Sequence, residues 1–471
     1  MNEWFWLSSW LLLLLLWVTA THSLSVPSSS SSSSTTTTKN AESSSSNTCG
    51  EEMSFLQQRF LEPFGLIIRV FDDDTGRGLM TTKDRTEHED IIRIPQKDTL
   101  TVDTLLQEFA ILEKAVVVAT SLTDEQVLAM GLLLLLQQEE EEARDDIFSL
   151  YVATLPKPVH SVLTMDETTL ACLPLAYQKL ILAYRQHVDD LYSGLCAAMD
   201  KANHPNDDKS SDKESNNKKK NGCVVEKRDF CWAFATVRSR CVGVDGRTDP
   251  RVRNGGAPDE QRVLLPAFDL LNHRFGAQTT LTLDEDRQEY VLTSLDPYQS
   301  GDQVMISYSD RKDNLQMLMT YGFCPPHNPQ AVVFFDLHDM LSACAAARPQ
   351  YFTPIVQDQI RSLWDKFGKT RDLYRFDANL GRPRACLQQA ILLLQELEKQ
   401  FIQTKQPPDD AFPQHVLNSL LSQRQTQLQQ GLHALNSSND TTPMKQAVQF
   451  LLQEEVGWIE KYRTEELKAP E

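Results

Sequence analysis

The chain has 471 residues, 41% of them hydrophobic, enough to bury a sizeable core in two or three structural units. Its net charge of −19 argues against a binder of phosphate backbones and fits a soluble protein able to attract basic partners. Nine scattered cysteines, an odd number without C-x-x-C or Cys/His clusters of zinc spacing, speak against a disulfide framework or a structural metal.

Residues 4–18 form an apolar run with six consecutive leucines, followed by the small residues of Val18-Thr19-Ala20. The run is closer to a signal-peptide core than to a membrane span of about 20 residues. The segment before it lacks Lys and Arg and carries Glu3, which departs from the usual basic start. Residues 21–48 are almost entirely Ser and Thr, cannot bury a core and are expected to be disordered. Two readings stay open: the stalk of a secreted or membrane-anchored protein, and the transit half of a bipartite presequence leading to a plastid.

From residue 49 the pattern is that of a folded protein. Residues 55–63 read as a short helix and 66–71 as a strand, followed by the turn signal DDDTGRG at 72–78. An extended run at 79–82 and a strand at 91–95 complete an expected β meander. On its own G-R-G is a tight turn, although glycine there also lets the main chain approach a ligand. Residues 101–192 carry helical periodicity, with Thr123 and Gln126 spaced as a capping box and a break at the LPKP of 155–158. The acidic run at 139–142 reads as a solvated helix end, and residues 201–220 as a charged low-complexity insertion. In DFCWAFATVRSR, Phe230, Ala233, Phe234 and Val237 share one helical face. Arg240 ends that helix, where the dipole alone would favour a cation.

The stretch 264–323 is denser in unusual features. An apolar run at 263–271 leads into Asp269, Asn272 and His273; an alternating strand pattern covers 279–283; a second apolar run ends on Tyr308. A short helix starts near Asn314, with Tyr321 just beyond it. Polar groups at the edges of buried elements serve either capping or chemistry. Taken singly, each tyrosine also reads as a core aromatic with a satisfied hydroxyl. Past residue 323, strands extend to about 337 and helices to the end. One helical stripe carries Leu387, Ile391, Leu394, Glu398 and Phe401; a proline pair at 407–408 precedes a helix at 416–432, and a last helix follows Pro443.

D-x-x-N-H at 269–273, S-Y at 307–308, Asn314 and Y-G-F at 321–323 together resemble the two signature motifs of SET-domain methyltransferases. The group they resemble is the plant-type one of the Rubisco large-subunit lysine methyltransferase, in which a helical insert splits the SET domain and a helical substrate-binding lobe follows. The resemblance implies an α+β fold: a β-rich SET domain over 49–335, split by a helical insert at about 101–225 that includes the low-complexity stretch 201–225. An all-helical C-terminal lobe over 336–471 would follow, with 1–48 as the targeting segment.

The resemblance also implies S-adenosylmethionine as cofactor, contacted by Thr75, Gly76, Arg77, Arg240, Asn272 and His273, and no metal. Substrate would meet Arg240, Asp269, Tyr308 and Tyr321, with the Tyr308 hydroxyl orienting the acceptor amine as the catalytic group. The implied activity is methyl transfer to a lysine of a non-histone protein, by a monomer with no nucleic-acid partner. Two alternatives stand beside it: a histidine acceptor, and a catalytically silent module that binds a partner. A cofactor supplied inside cells and organelles favours the plastid reading of the leader, with a plastid protein as acceptor. One departure is Ser309, where the family usually has glycine; a positive φ there would strain a serine.

Overall fold

A computed structural model describes residues 51–71, 76–119, 121–141, 146–203, 225–246, 248–254, 259–366, 374–402, 410–437 and 442–466. The leader, the Ser/Thr-rich stretch, Thr75, the proline pair at 407–408 and nearly all of the low-complexity insertion lie outside the described residues.

Helix α1 (Glu51–Leu56) leads through two further short turns into the hairpin β1 (Leu66–Phe71) and β2 (Gly76–Thr81). β3 (Glu89–Pro95) follows without pairing to β2, so the expected meander does not form. The reason lies in the loop between them. Buried Arg85 donates to the Thr81 hydroxyl at 2.9 Å and the Asp90 carbonyl at 3.2 Å, turning the chain away. β3 instead buries Ile91, Ile92 and Ile94 and becomes the edge of a separate sheet.

The helical insert comprises α2 (Val102–Glu108), α3 (Ala110–Val118), α4 (Asp124–Glu141), α5 (Ile147–Thr154), α6 (Glu167–Ala171) and α7 (Leu175–Asn203). The capping box at the start of α4 is present: Thr123 N donates to Gln126 Oε1 at 2.8 Å, and Gln126 N to Thr123 Oγ1 at 3.2 Å. α8 (Lys227–Arg240) then buries Phe230, Ala233, Phe234 and Val237, the face read from the sequence. Each large side chain on that face contributes about 1.5–3 kcal/mol on leaving water. α8 is thereby fixed against α4, and its last residue, Arg240, is aimed by the packing of the whole helix.

After the hairpin β4 (Val242–Asp245) and β5 (Glu260–Val263), the chain reaches β6 (Asn272–His273), then β7 (Thr279–Asp284), β8 (Glu289–Ser294) and β9 (Gln303–Ile306). β3, β8 and β7 form one sheet; β1, β2, β9 and β6 form another, in that order. β9 runs antiparallel to β2 and parallel to β6, with Asn272 opposite Met305 and His273 opposite Ile306. This register carries Tyr308 out of the sheet beside His273.

Helix α9 (Asn314–Tyr321) follows, held by a capping box between Asp313 and Gln316 and ended by Gly322 at φ +81°. A Cβ on Gly322 would also lie 2.1 Å from the His160 carbonyl, so glycine is required there on two counts.

The C-terminal lobe holds α10 (Leu337–Ala347), α11 (Pro354–Lys366), α12 (Ala385–Ile402), α13 (Phe412–Asn436) and α14 (Pro443–Glu466). It is helical apart from two short strands, β11 (Tyr374–Asp377) and β12 (Arg382–Pro383), which add to β10 (Val332–Phe335). Tyr374 and Phe376 face the core from β11, so a four-residue segment gains enough burial to pair. On the α12 stripe Glu398 is buried and pairs with Arg348 at 3.1 Å, whereas Phe401 stays exposed. The α+β architecture read from the sequence is the one observed.

Two apolar cores organise these elements. The first spans the strands before β10, most of the insert and α8; the second joins the C-terminal lobe to α9 and the start of α7. Within the second, the Tyr177 hydroxyl contacts Glu455 at 2.5 Å, and Arg424 reaches Asp339 at 2.9 Å between the rings of Tyr177 and Phe335. Burial pushes the Glu455 carboxyl up to about 7, against the pull of Arg424 and the Tyr177 hydroxyl. Its protonated form therefore adds stability that is complete below its ordinary value of 4.5 and is lost as pH rises through about 7. Glu455→Gln is expected to flatten that fall in a series of melting curves; an unchanged slope would place the titration elsewhere.

Candidate active site

The site forms where the strand edge β6–β9, the end of α8 and the end of α9 meet. The segment entering β6 sets its shape. Val263, Leu264, Leu265, Ala267, Phe268, Leu270 and Leu271 are buried, and Ala267 takes a left-handed φ of +67°. That conformation is uncommon for alanine. It turns the chain so that Asp269 faces Arg240 instead of joining the apolar side chains around it.

Arg240 Nη1 donates to the Asp269 carbonyl at 3.0 Å and to its Oδ2 at 2.8 Å. The Asp269 side chain is only 4% exposed, and the Tyr151 hydroxyl, from α5 of the insert, lies 3.3 Å from the same oxygen. Burial alone would lower the Arg240 pKa, but Asp269 and the neighbouring tyrosines outweigh it and raise it. The guanidinium is thus held on Asp269, and the insert is tied to the site through one phenol.

Tyr308 sits next to this pair. Its hydroxyl donates to the Leu271 carbonyl at 2.7 Å, and its backbone N donates to His273 Nδ1 at 3.0 Å. Burial, with Arg240 opposing and Asp269 and Tyr321 assisting, raises its pKa well beyond the usual phenol range. Tyr308 is thus a neutral hydrogen-bonding group and not a base. Tyr321 directs its hydroxyl at the Tyr308 carbonyl, 3.3 Å away, and burial pushes its pKa up to about 12. The rings of Tyr308 and Tyr321 are 4.9 Å apart, and Phe323 lies 6.3 Å from each. His273 closes the cage, 5.2 Å from Tyr308 and edge-on to Phe275 at 4.4 Å.

His273 has a second aspect. Its Nδ1 accepts from Tyr308, so the neutral ring carries its proton on Nε2. Burial lowers its pKa and keeps it neutral. Nε2 is itself buried with no hydrogen-bond partner among the described residues, although the ring is near enough to the Ile306 carbonyl for it to oppose the effect of burial. Asn272 sends its amide to the Arg77 carbonyl at 3.0 Å, bridging β6 to β2. A Cβ on Gly78 would fall 2.4 Å from Gln303 Nε2 and 2.7 Å from that amide, so both side chains close over the third residue of G-R-G.

Of the residues singled out in the sequence, Arg240, Asp269, His273, Tyr308 and Tyr321 are brought together, with Asn272 on β6 joined to Arg77 on β2. Gly76 opens β2 at φ +69°, and Thr75 lies outside the described residues. Asn314 is buried at the start of α9 and accepts from Asn328 Nδ2 at 2.8 Å, while its own Nδ2 has no partner among the described residues. Ser309 is not among the positive-φ residues, so its backbone is unstrained. Phe323, Gly78 and Tyr151 also belong to the site. The first two lie inside motifs visible in the sequence, but Tyr151 sits in an apolar helix with nothing local to mark it.

The arrangement suits a ligand with hydrogen-bonding groups on the Asn272–His273 side and an amine in the aromatic cage. Asn272→Ala removes an amide that joins β6 to β2 and can both donate and accept. Ligand affinity on that side is expected to fall by about 1–3 kcal/mol. Unchanged affinity for S-adenosylmethionine by calorimetry would move the site elsewhere.

No protein-family model matches the chain. It is 24% identical over 261 residues to the human protein named SET domain-containing protein 4, a match covering 55% of this chain and 54% of that one. The chain spans about half the length of the curated relatives it matches first. It is 32% identical over 108 residues to the chloroplastic Rubisco large-subunit N-methyltransferase of Pisum sativum, covering 21% of this chain and 20% of that protein. Among solved structures, the SET domain of LSMT bound to lysine and AdoHcy matches at a TM-score of 0.50 and 18% identity, over 88% of this chain and 92% of that one.

Proposed function

We propose that this chain, which carries the SET-domain fold and is similar to SET-domain proteins, is an S-adenosylmethionine-dependent methyltransferase that acts on a lysine side chain of a non-histone protein. The observation that carries the reading is the Tyr308 hydroxyl. It is held by the Leu271 carbonyl inside a cage of Tyr321, Phe323 and His273, beside the Arg240–Asp269 salt bridge.

The residues present fit the cofactor. The His273 Nε2–H, without a partner among the described residues, and the Asn272 amide would supply polar contacts, and Gly76 leaves open space where a Cβ would stand. Bound there, S-adenosylmethionine would supply a methyl group on a positively charged sulfur, which departs as a thioether.

The chain's own groups do the rest. A lysine amine must arrive uncharged, which in water at neutral pH costs about 4 kcal/mol. Loss of solvation inside the closed cage disfavours the ammonium form, so its proton is left to solvent before entry. The Tyr308 hydrogen points at Leu271, leaving the phenol oxygen free to accept an N–H from the amine and align its lone pair. Tyr321 and Phe323 exclude water and limit the acceptor's approach to one direction.

The acceptor test is amino-acid analysis of proteins labelled from methyl-labelled cofactor. Methyl-lysine supports the reading and methyl-histidine overturns it. For the leader, the plastid reading draws on a chloroplastic relative and on the composition of residues 1–48. A fluorescent fusion of the first fifty residues is expected to leave the cytosol and enter plastids; a diffuse cytosolic signal would contradict it.

A further inference from the structure

We propose that Lys312 is a subsite for an acidic side chain flanking the acceptor lysine, giving the enzyme a preference for Asp or Glu beside its target. The inference rests on the lysine-methylating reading above. Lys312 lies in the loop between β9 and α9, its carbonyl fixed by Asn328 Nδ2 at 3.0 Å. Its ammonium stands 5.6 Å over the ring of Tyr321, the wall of the acceptor cage, so a group bound at Lys312 lies at the edge of that cage.

Among the described residues Lys312 forms no ion pair, which separates it from the other half-buried cations around the site. Its charged neighbours are Arg238 and Arg262, and both of these turn to Glu125, Arg238 at 2.7 Å. Arg262 also lies 3.5 Å from Asp124, so the two carboxylates beside these cations are engaged by the arginines. The nearby Cys241 offers no charge, because burial pushes its thiol up to about 12. Burial first, then the two arginines, lower the Lys312 pKa. A half-buried ammonium with like charges and one ring face lacks a counter-ion, and a carboxylate arriving with the substrate would supply it by a charge-assisted hydrogen bond.

The cofactor's own carboxylate is a poorer candidate. The groups around Lys312 come from α8, β5 and α9, whereas Arg77, Gly78 and Asn272 lie on β2 and β6.

The test compares two sets of lysine-centred peptides that differ only in carrying Glu or Gln on either side of the lysine. Their affinities for the full chain are measured by fluorescence polarisation with S-adenosylhomocysteine present. The Glu set is expected to bind about tenfold more tightly at low salt. That ratio should fall to about one in Lys312→Met and reverse towards basic flanks in Lys312→Glu. Each ratio is internal to its variant, so a loss of folded protein does not imitate the effect. Equal affinities in the native chain, or a ratio that survives Lys312→Met, would overturn the subsite and leave the lysine reading standing. Failure of both peptide sets to bind a chain that binds S-adenosylhomocysteine would overturn the two together.

Discussion

Tyr308→Phe is expected to slow methyl transfer by about 10²–10³-fold while leaving S-adenosylmethionine affinity nearly unchanged. The substitution keeps the ring and its packing against Tyr321, Phe323 and His273, and deletes only the oxygen that donates to Leu271. If that oxygen aligns the amine, the loss falls on turnover and not on cofactor binding, since one well-placed group in a closed site is worth about 3–4 kcal/mol. Folding stability should drop by only about 1 kcal/mol, for the Leu271 carbonyl left without its donor. Steady-state rates beside a melting curve separate the outcomes. Early unfolding would make Tyr308 a structural hydrogen-bonder, and normal turnover would remove it from the chemistry.

Asp269→Ala should do the reverse, destabilising the fold by about 3–5 kcal/mol. It strands the Arg240 guanidinium and the Tyr151 hydroxyl, which converge on one carboxylate that is 4% exposed. It also frees a turn that holds Ala267 in a left-handed conformation two residues before. Asp269→Asn keeps an acceptor for Tyr151 and should lose less. A denaturant titration of both variants checks the order; equal stability of Asp269→Ala and the native chain would mean that the pair contributes nothing to the fold.

The fold class and the residues that meet at the candidate site were more legible in the sequence than the pairing of the strands. Asn272, His273, Tyr308 and Tyr321 belong to short motifs whose local structure follows from local signals: two apolar runs, a capping box at Asp313 and a left-handed glycine at 322. Arg240 was ambiguous because a helix end alone favours a cation. Its partner lies 29 residues further on, and only the folded chain decides between dipole and carboxylate. The pairing of β3 with β8 spans almost 200 residues, and no local pattern distinguishes it from a meander. The short β11, YRFD, has too little alternation to stand out between helices. Tyr151 reaches the site from an apolar helix 118 residues before Asp269, so its role follows from packing alone.

Lysine methylation through Tyr308 is tested by transfer of labelled methyl groups from S-adenosylmethionine into cell extract by the native chain and by Tyr308→Phe, with mass mapping of the labelled residue. Label is expected on the lysine of a non-histone protein with the native chain, and a signal reduced to near background with the variant. A native chain that binds S-adenosylmethionine yet labels nothing, or a variant that labels equally well, would contradict it.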